Sequence, residues 1–505
     1  MFSAAGAAAG TVVIYHTGDV HGRYSAREAL LYGSTVPVRA GGFAALSAIA
    51  KNEKAPVLLL DSGDWYTGTP EGDLTRGMAS VLLMNAAGYA ASAIGNHEFD
   101  HGVEAFQAAV SSATFKVLGA NISRDGAPVP WAAPYTIVET GGVKLGIIGI
   151  TNQNTPELTI GDVRELSFAS EKETLLKVLP EVEKLGLNAI IVLLHDGTYT
   201  GDKLDGSAWQ PPAAAVGKGP LALARAAAGR VQVILGGHMH TLLTSGYRDT
   251  ATDTLIGESG TGLLYASRVE LTFDDKTGKF IGAADRAVPL RVDAAGEDPA
   301  VLAVLGPLEK SVAARMDLPL GSAAADILRG PRGPEFTDSP LGSLFCDMIR
   351  AYAGTDAAVQ NTEGLRADLL KGPITFRSVY QTVPFDGVLV TARLSGARLR
   401  ALLAEGLSGG KPELQVSGLQ VEYGGADNGR PGTLAVSVGG KPVEPDKYYS
   451  VAINDFFLRS PRWRPLVAGE QDNKEIILRD ILISAIQRAP RPLTPPAPGR
   501  MRSLN

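Results

Sequence analysis

The sequence predicts an α/β protein of 505 residues with two domains. Three observations predict it. Short aliphatic runs alternate with helical segments through the first half, the signature of strands packed against helices. Five of those runs end in a cluster of Asp, Asn or His. All seven histidines lie between His16 and His240, and the rest of the chain has none.

The runs are Thr11–Thr17, Pro56–Leu60, Ala91–Ile94, Lys144–Ile150, Ala189–Leu194 and Val231–Leu235. Each is short, aliphatic or β-branched, and bounded by Gly or polar residues, so each is expected to be a buried strand. Phe43–Lys54 and Lys172–Leu185 carry apolar residues at helical spacing. Leu263–Phe273 alternates and is expected to add a late strand to the same domain. Asp298–Met316 is helical in pattern and reads as a linker. A second unit mixes the helices Leu341–Ala353 and Gly396–Leu407 with the strands Gly387–Leu394, Leu419–Tyr423, Thr433–Val438 and Tyr449–Ile453. The expected boundaries are 11–295 for the first domain, 296–320 for the linker helix, 321–487 for the second domain and 488–505 for a proline-rich tail. The tail is expected to be an extended or disordered arm. Gln210–Pro220, rich in Gly and Pro, is expected to be a surface loop.

Composition narrows the function. Hydrophobic residues make up 45% and charged residues 20% of the chain, as in ordinary globular proteins. A net charge of −6 argues against a nucleic-acid polymer as partner, because binding phosphate backbones needs a basic face. A single cysteine, Cys346, excludes an intramolecular disulfide and a zinc ribbon. No run of about 18–20 apolar residues suggests a spanning helix. The start, MFSAAGAAAG, lacks the basic and leucine-rich regions of an intact signal peptide.

The residues that follow the strands carry the chemistry. They read Gly18-Asp19-Val20-His21, Asp61-Ser62-Gly63-Asp64, Gly95-Asn96-His97-Glu98-Phe99-Asp100, His195-Asp196-Gly197 and Gly236-Gly237-His238-Met239-His240. Open α/β sheets bind ligands beyond the carboxyl ends of their strands. A lone strand-end Asp is ordinarily a turn or a cap, but five polar strand ends together point to a shared site. Asp19, Asp64 and Asn96 offer oxygens; His21, His195, His238 and His240 offer imidazoles. Seven donors exceed the needs of one ion and suit two that share a carboxylate. The mixture suits zinc, manganese or iron. Two such ions about 3.5–4 Å apart activate water and clamp a phosphoryl group. Asp61 and Glu98 read as supports, His16 as a core residue and His101 as a loop residue.

The blocks HTGDVHGR, LLLDSGDWYTGTP, AIGNHEFDHG, LLHDG and GGHMHT closely resemble those of calcineurin-like metallophosphoesterases. More narrowly, they resemble the 5′-nucleotidase, UDP-sugar hydrolase and 2′,3′-cyclic phosphodiesterase family. The likeness extends over residues 11–460. It departs at Gly18, where Asn is usual. It implies a four-layer αββα metallophosphoesterase domain, a helical linker and a C-terminal α+β substrate-binding domain. It also implies two divalent metal ions. Asp19, His21, Asp64 and His240 would hold one. Asp64, Asn96, His195 and His238 would hold the other, with Asp64 bridging. His97 and Asp100 match the family's catalytic dyad.

The C-terminal half resembles the family's substrate-binding domain. SPLGSLFCDMIR, NTEGLR and TVPFDGVLV match its motifs, and by resemblance Asn361, Arg366 and Phe385 contact the substrate. One block departs. After Asn454-Asp455-Phe456 the family has a GGDGY segment, whereas this chain reads FLRSPRWRPL, with Phe457 or Trp463 as the candidate for the replacement aromatic. The expected function is hydrolysis of a nucleotide phosphoester, with a small-molecule nucleotide as partner. The alternatives are a cyclic phosphodiester, a UDP-sugar, a non-nucleotide phosphomonoester, or a non-catalytic binding protein on this scaffold. The resemblance implies a periplasmic or extracellular location, with a cytoplasmic one as the alternative.

Overall fold

The computed structural model describes residues 10–198, 217–330, 338–408, 413–427, 430–490 and 492–504. The start of the chain through residue 9 lies outside them. So does the expected 210–220 loop up to residue 216; Gly219 already begins the helix Gly219–Ala227. The chain divides into two compact units at Ser311 and Val312, within the helix Pro299–Met316.

The first unit holds two six-stranded sheets. One runs in the order Phe280–Pro289, Tyr265–Phe273, Gly10–Thr17, Val57–Asp61, Tyr89–Ala93, Lys116–Leu118. The other runs Tyr247–Arg248, Leu255–Glu258, Val233–Gly236, Ala189–Leu194, Val143–Ile150, Tyr135–Thr140. Central strands are covered on both faces, which is why they read as unbroken aliphatic runs. Alternate side chains of one strand serve different layers. Val12 and Ile14 join a core with Leu145, Ile147, Ile191 and Leu193 of the other sheet. Val13 and Tyr15 pack instead among Phe43, Leu46, Leu83 and Phe106 of the helices. On the second sheet, Ile148, Ile150, Val192 and Leu194 face Leu175, Leu179, Leu221 and Ala224. The layers are therefore helix, sheet, sheet, helix.

Topology then gathers the strand ends. Gly10–Thr17, Val57–Asp61 and Tyr89–Ala93 run parallel in the first sheet. Val143–Ile150, Ala189–Leu194 and Val233–Gly236 run parallel in the second. Within each sheet, the loops after these strands emerge at one edge. The edge strands Tyr135–Thr140 and Phe280–Pro289 were not among the expected runs, because their exposed faces dilute the aliphatic signal.

The second unit has a five-stranded sheet in the order Leu414–Ser417, Ala357–Asn361, Tyr448–Asn454, Val388–Ser395, Gln471–Ile477. One face packs Ala358, Leu389 and Ala452 against the helices Pro340–Ala353 and Leu478–Arg488. The other packs Val359, Val390 and Val451 against the helix Gly396–Gly406 and a small second sheet. Cys346 is buried in the first of these cores and forms no disulfide.

The tail, expected to be an extended or disordered arm, is docked on the second unit. Leu493 donates to Ser322 O at 2.8 Å and accepts from Ala324 N–H at 2.8 Å. Met501–Ser503 adds a parallel strand beside Val421–Tyr423, and Met501 is fully buried. Arg500 grips the Asp347 carboxylate with both terminal nitrogens, at 2.9 and 2.7 Å. Proline favours extended backbone, and the last proline is Pro498, so the amides after it are free to pair. Arg500→Ala is expected to lower stability by about 1–2 kcal/mol, a charged hydrogen-bond pair partly open to solvent. Calorimetric melting checks this; a free arm would leave the melting temperature unchanged.

Candidate metal centre and catalytic dyad

The site is built on strained backbone. Of the ten non-glycine residues at positive φ among those described, five are Asp19, His21, Asp64, His238 and His240, with φ of 53°, 49°, 63°, 68° and 57°. Left-handed backbone at such residues persists only where the surroundings hold it, and it concentrates at functional sites. Here the loops hold one another. Asp19 N–H donates to Gly63 O at 2.9 Å and His21 N–H to Asp64 O at 3.0 Å. His238 N–H donates to Asp19 Oδ1 at 2.9 Å.

Glu98 is the clamp of the strand-end loops. Its carboxylate accepts the backbone N–H groups of Asp64, Trp65 and Gly95 at 2.8, 2.7 and 2.6 Å. Asp61 does similar work, accepting from Gly63 N–H, Trp65 Nε1, Ser92 Oγ and Thr17 Oγ1. Gly95 is required by close approach, since a Cβ there would lie 2.2 Å from Asp64 Oδ1.

The donor atoms converge in two groups. Asp19, His21 and His240 form one and Asp64, His195 and His238 the other, while a third set, His21, Asp64 and His97, overlaps both; within each, all ligand atoms lie within 4.8 Å of one another. Asp64 reaches both, with Oδ2 3.8 Å from His21 Nε2 and 3.2 Å from His195 Nε2. Asn96 Oδ1 lies 3.1 Å from His195 Nε2. The Nε2 atoms of His21 and His240 face each other at 2.9 Å. The opposite nitrogens are already engaged: His21 Nδ1 is 2.8 Å from Thr67 O, and His195 Nδ1 is 2.8 Å from Ser62 O. A carbonyl on Nδ1 fixes the proton there and leaves the Nε2 lone pair for a metal.

The electrostatics call for cations. Burial pushes the Asp19 carboxyl up to about 8. It also pushes Glu98 up to about 8, with the charge of Asp64 adding to the effect. His195 is raised to about 10: burial opposes its protonation, but the charge and hydrogen bond of Asp64 outweigh it. The buried carboxylates thus compete for positive charge that the protein alone supplies only by protonation. Converging imidazole lone pairs and carboxylates in this environment fit divalent cations.

Beside them, His97 Nδ1 lies 2.7 Å from Asp100 Oδ2, and His97 N–H donates to Asp64 Oδ1 at 2.9 Å. Asp100 is held below the usual carboxylate range. Burial works against its ionisation, but His97 and the donors Ile160 N–H and Thr67 Oγ1 outweigh it. Thr159 Oγ1 donates to the other oxygen at 3.0 Å. Thr67 and Thr159 were not singled out from the sequence, because a loop threonine has no motif of its own. Only its position beside the dyad reveals it.

His16 and His101 stand apart from the donor groups. His101 stacks on Tyr66 with centroids 5.8 Å apart. His16 is fully buried within its strand, and neither ring nitrogen has a hydrogen-bond partner among the described residues.

In the second unit, Asn361 ends the strand Ala357–Asn361, and the Arg366 guanidinium lies 5.5 Å from the Phe385 ring centre. The replacement aromatics are corrected. Phe457 and Trp463 are buried in the core, 0% and 4% exposed, so neither offers a face to a ligand. The neighbouring Phe456 is the partly exposed aromatic of that segment. Both rings lie in the short helix Phe456–Arg459, where a single-residue step turns the side chain by about 100°, and aromatic composition does not register which one points inward.

Facing sheets that end in buried imidazoles and carboxylates define a metal-dependent phosphoric ester hydrolase. Comparison with known proteins agrees. The calcineurin-like phosphoesterase family model matches residues 12–242, and the 5′-nucleotidase C-terminal domain model matches residues 320–460. The chain belongs to the 5′-nucleotidase family of calcineurin-like phosphoesterases. It is 28% identical to Protein UshA of Yersinia enterocolitica, over 88% of this chain and 84% of that one. It is 27% identical to a snake venom 5′-nucleotidase of Naja atra, over 92% of each. A 5′-nucleotidase precursor from Thermus thermophilus superposes with a TM-score of 0.83 at 27% identity, covering 98% of this chain and 99% of that one.

Two outcomes follow from this geometry. Asp64→Ala is expected to remove the shared ligand and with it the bound metal; a full complement by elemental analysis would refute the sharing. Burial depresses His16 to about 3. The unfolded chain binds that proton from pH about 6.5 downward while the native chain does not, so stability falls with pH, by about 2 kcal/mol at pH 5. His16→Leu is expected to flatten the drop in melting temperature between pH 7 and pH 5.

Proposed function

We propose that the enzyme hydrolyses nucleotide phosphoesters, releasing inorganic phosphate, and that it uses two divalent cations. Asp19, His21, Asp64 and His240 hold one; Asp64, Asn96, His195 and His238 hold the other. The observation that carries the reading is the meeting of these donors beside a His97–Asp100 pair joined at 2.7 Å. Bound cations supply a hydroxide-like nucleophile at neutral pH and offset the charge of the phosphoryl oxygens.

The chain's own residues handle the proton and the leaving group. Asp100, kept ionised by His97, Thr67, Thr159 and Ile160, accepts from His97 Nδ1 and turns Nε2 toward the phosphoester. His97 then stabilises the developing charge or gives its Nε2 proton to the leaving oxygen. In the second unit, Asn361, Arg366 and Phe385 recognise the organic part of the substrate. Arg366 offers a planar cationic donor and Phe385 a stacking face, supported by their mutual contact. Burial of Phe457 and Trp463 favours one second reading, the same chemistry on a non-nucleotide phosphomonoester.

A periplasmic or extracellular location belongs to the same proposal, and fractionation of expressing cells tests it. No helix among the described residues is long and apolar enough to cross a membrane.

Turnover of 5′-AMP, cyclic nucleotides, UDP-sugars and p-nitrophenyl phosphate with Mn²⁺, Zn²⁺ or EDTA tests the reading. Metal-dependent phosphate release from 5′-AMP is expected; release from p-nitrophenyl phosphate alone would select the second reading. His97→Ala is expected to lower kcat by about 10²–10⁴. Wild-type turnover in that variant would remove His97 from the mechanism.

A further inference from the structure

The second unit contains an amide cluster around Asn361, and two of its members, Gln360 and Asn454, have no role in the activity so far described. Strands Ala357–Asn361 and Tyr448–Asn454 are parallel neighbours, so Gln360, Asn361 and Asn454 finish together at one sheet edge. Asn454 is only 6% exposed and Gln360 2%. Asn454 Nδ2 donates to Asn361 Oδ1 at 2.7 Å and to Gln360 Oε1 at 3.0 Å. Gln360 Nε2 donates to the same Asn361 Oδ1 at 2.9 Å. Both acceptor positions of that oxygen are filled. Asn361 Nδ2 makes no hydrogen bond among the described residues, and Asn361 is partly exposed.

Two further observations suggest that the arrangement is held deliberately. Asn454 Oδ1 is buried with no partner among the described residues, a cost borne while both Nδ2 bonds are kept. Gly364, in the turn just after Asn361, closes over the cluster: a Cβ there would lie 2.3 Å from Gln360 Nε2 and 3.1 Å from Asn361 Oδ1.

A free asparagine amide presents its oxygen or its nitrogen with nearly equal ease. Rotating the Asn361 amide here would bring its NH₂ against two NH₂ donors. We propose that Gln360 and Asn454 are positioning residues that lock Asn361 with Nδ2–H turned outward. Asn361 is thereby a donor, and the enzyme selects leaving groups that carry a hydrogen-bond acceptor at that point, such as a ring nitrogen or carbonyl of a nucleobase. This rests on the reading that Asn361 contacts the substrate.

The test is a double-mutant cycle on the full chain with Mn²⁺, measuring kcat and KM for 5′-AMP and p-nitrophenyl phosphate. Asn454→Leu is expected to raise KM for 5′-AMP about fivefold, the loss of one oriented hydrogen bond, with a smaller change on p-nitrophenyl phosphate. Asn361→Ala with Asn454→Leu is expected to be no worse than Asn361→Ala alone, because Asn454 acts through Asn361. Additive losses, or equal losses on both substrates, would overturn the proposal. An impaired Asn361→Ala beside a silent Asn454→Leu would overturn the positioning role and leave the substrate contact standing. A silent Asn361→Ala would overturn the contact itself, and the proposal with it. Should Asn454→Leu fail to fold by calorimetry, Gln360→Met carries the same cycle with the same expected outcomes.

Discussion

The structure of the first unit depends on a backbone constraint at its strand ends. Five site residues sit in left-handed conformation, a cost of about 1 kcal/mol or more each. No single loop could hold that conformation alone. Asp19 and His21 are tied to the Gly63–Asp64 turn, and that turn is tied to Gly95 through the three amides on Glu98. His238 is tied back to Asp19. Side chains from both sheets therefore meet with their directions already set. The buried carboxylates at that meeting point make it hungry for cations, so the geometry and the electrostatics describe one site.

The two units use one device at different polarity. Each ends parallel strands in polar side chains at a common edge. In the first, carboxylates and imidazoles converge on charge. In the second, neutral amides order one another, and the outcome is the orientation of a hydrogen bond. Phosphoester chemistry draws on the first kind of site, and the second is the one proposed to select among leaving groups.

Much of this was legible in the sequence for a physical reason. A strand covered on both faces must be apolar throughout, so the polar residue that ends it stands out. That contrast marked Asp19, Asp64, Asn96, His195 and His238 without any coordinates. Edge strands such as Tyr135–Thr140 lack the contrast. Thr67 and Thr159 matter only through their distance from Asp100, and distance is not written in a local pattern. Phe456 and Phe457 are adjacent and chemically identical, so only the fold distinguishes the accessible ring from the core one. The docking of the tail was not legible, because proline content signals extension equally in a free arm and in a docked segment.

The strand Gly10–Thr17 has a consequence for how the protein comes into being. It lies inside its sheet between Val57–Asp61 and Tyr265–Phe273, and Gly10 pairs with Phe273. A nascent chain must carry this strand with one edge unpaired until most of the first unit has been synthesised. Pairings of such sequence separation are slow to form, and their open edges invite association with other chains. The loop bearing Asp19 and His21 is thus completed late, after His238 and His240 exist to meet it. A chain interrupted before the Tyr265–Phe273 strand would carry every donor residue through His240 and yet leave Gly10–Thr17, which leads into Asp19 and His21, without its second neighbour.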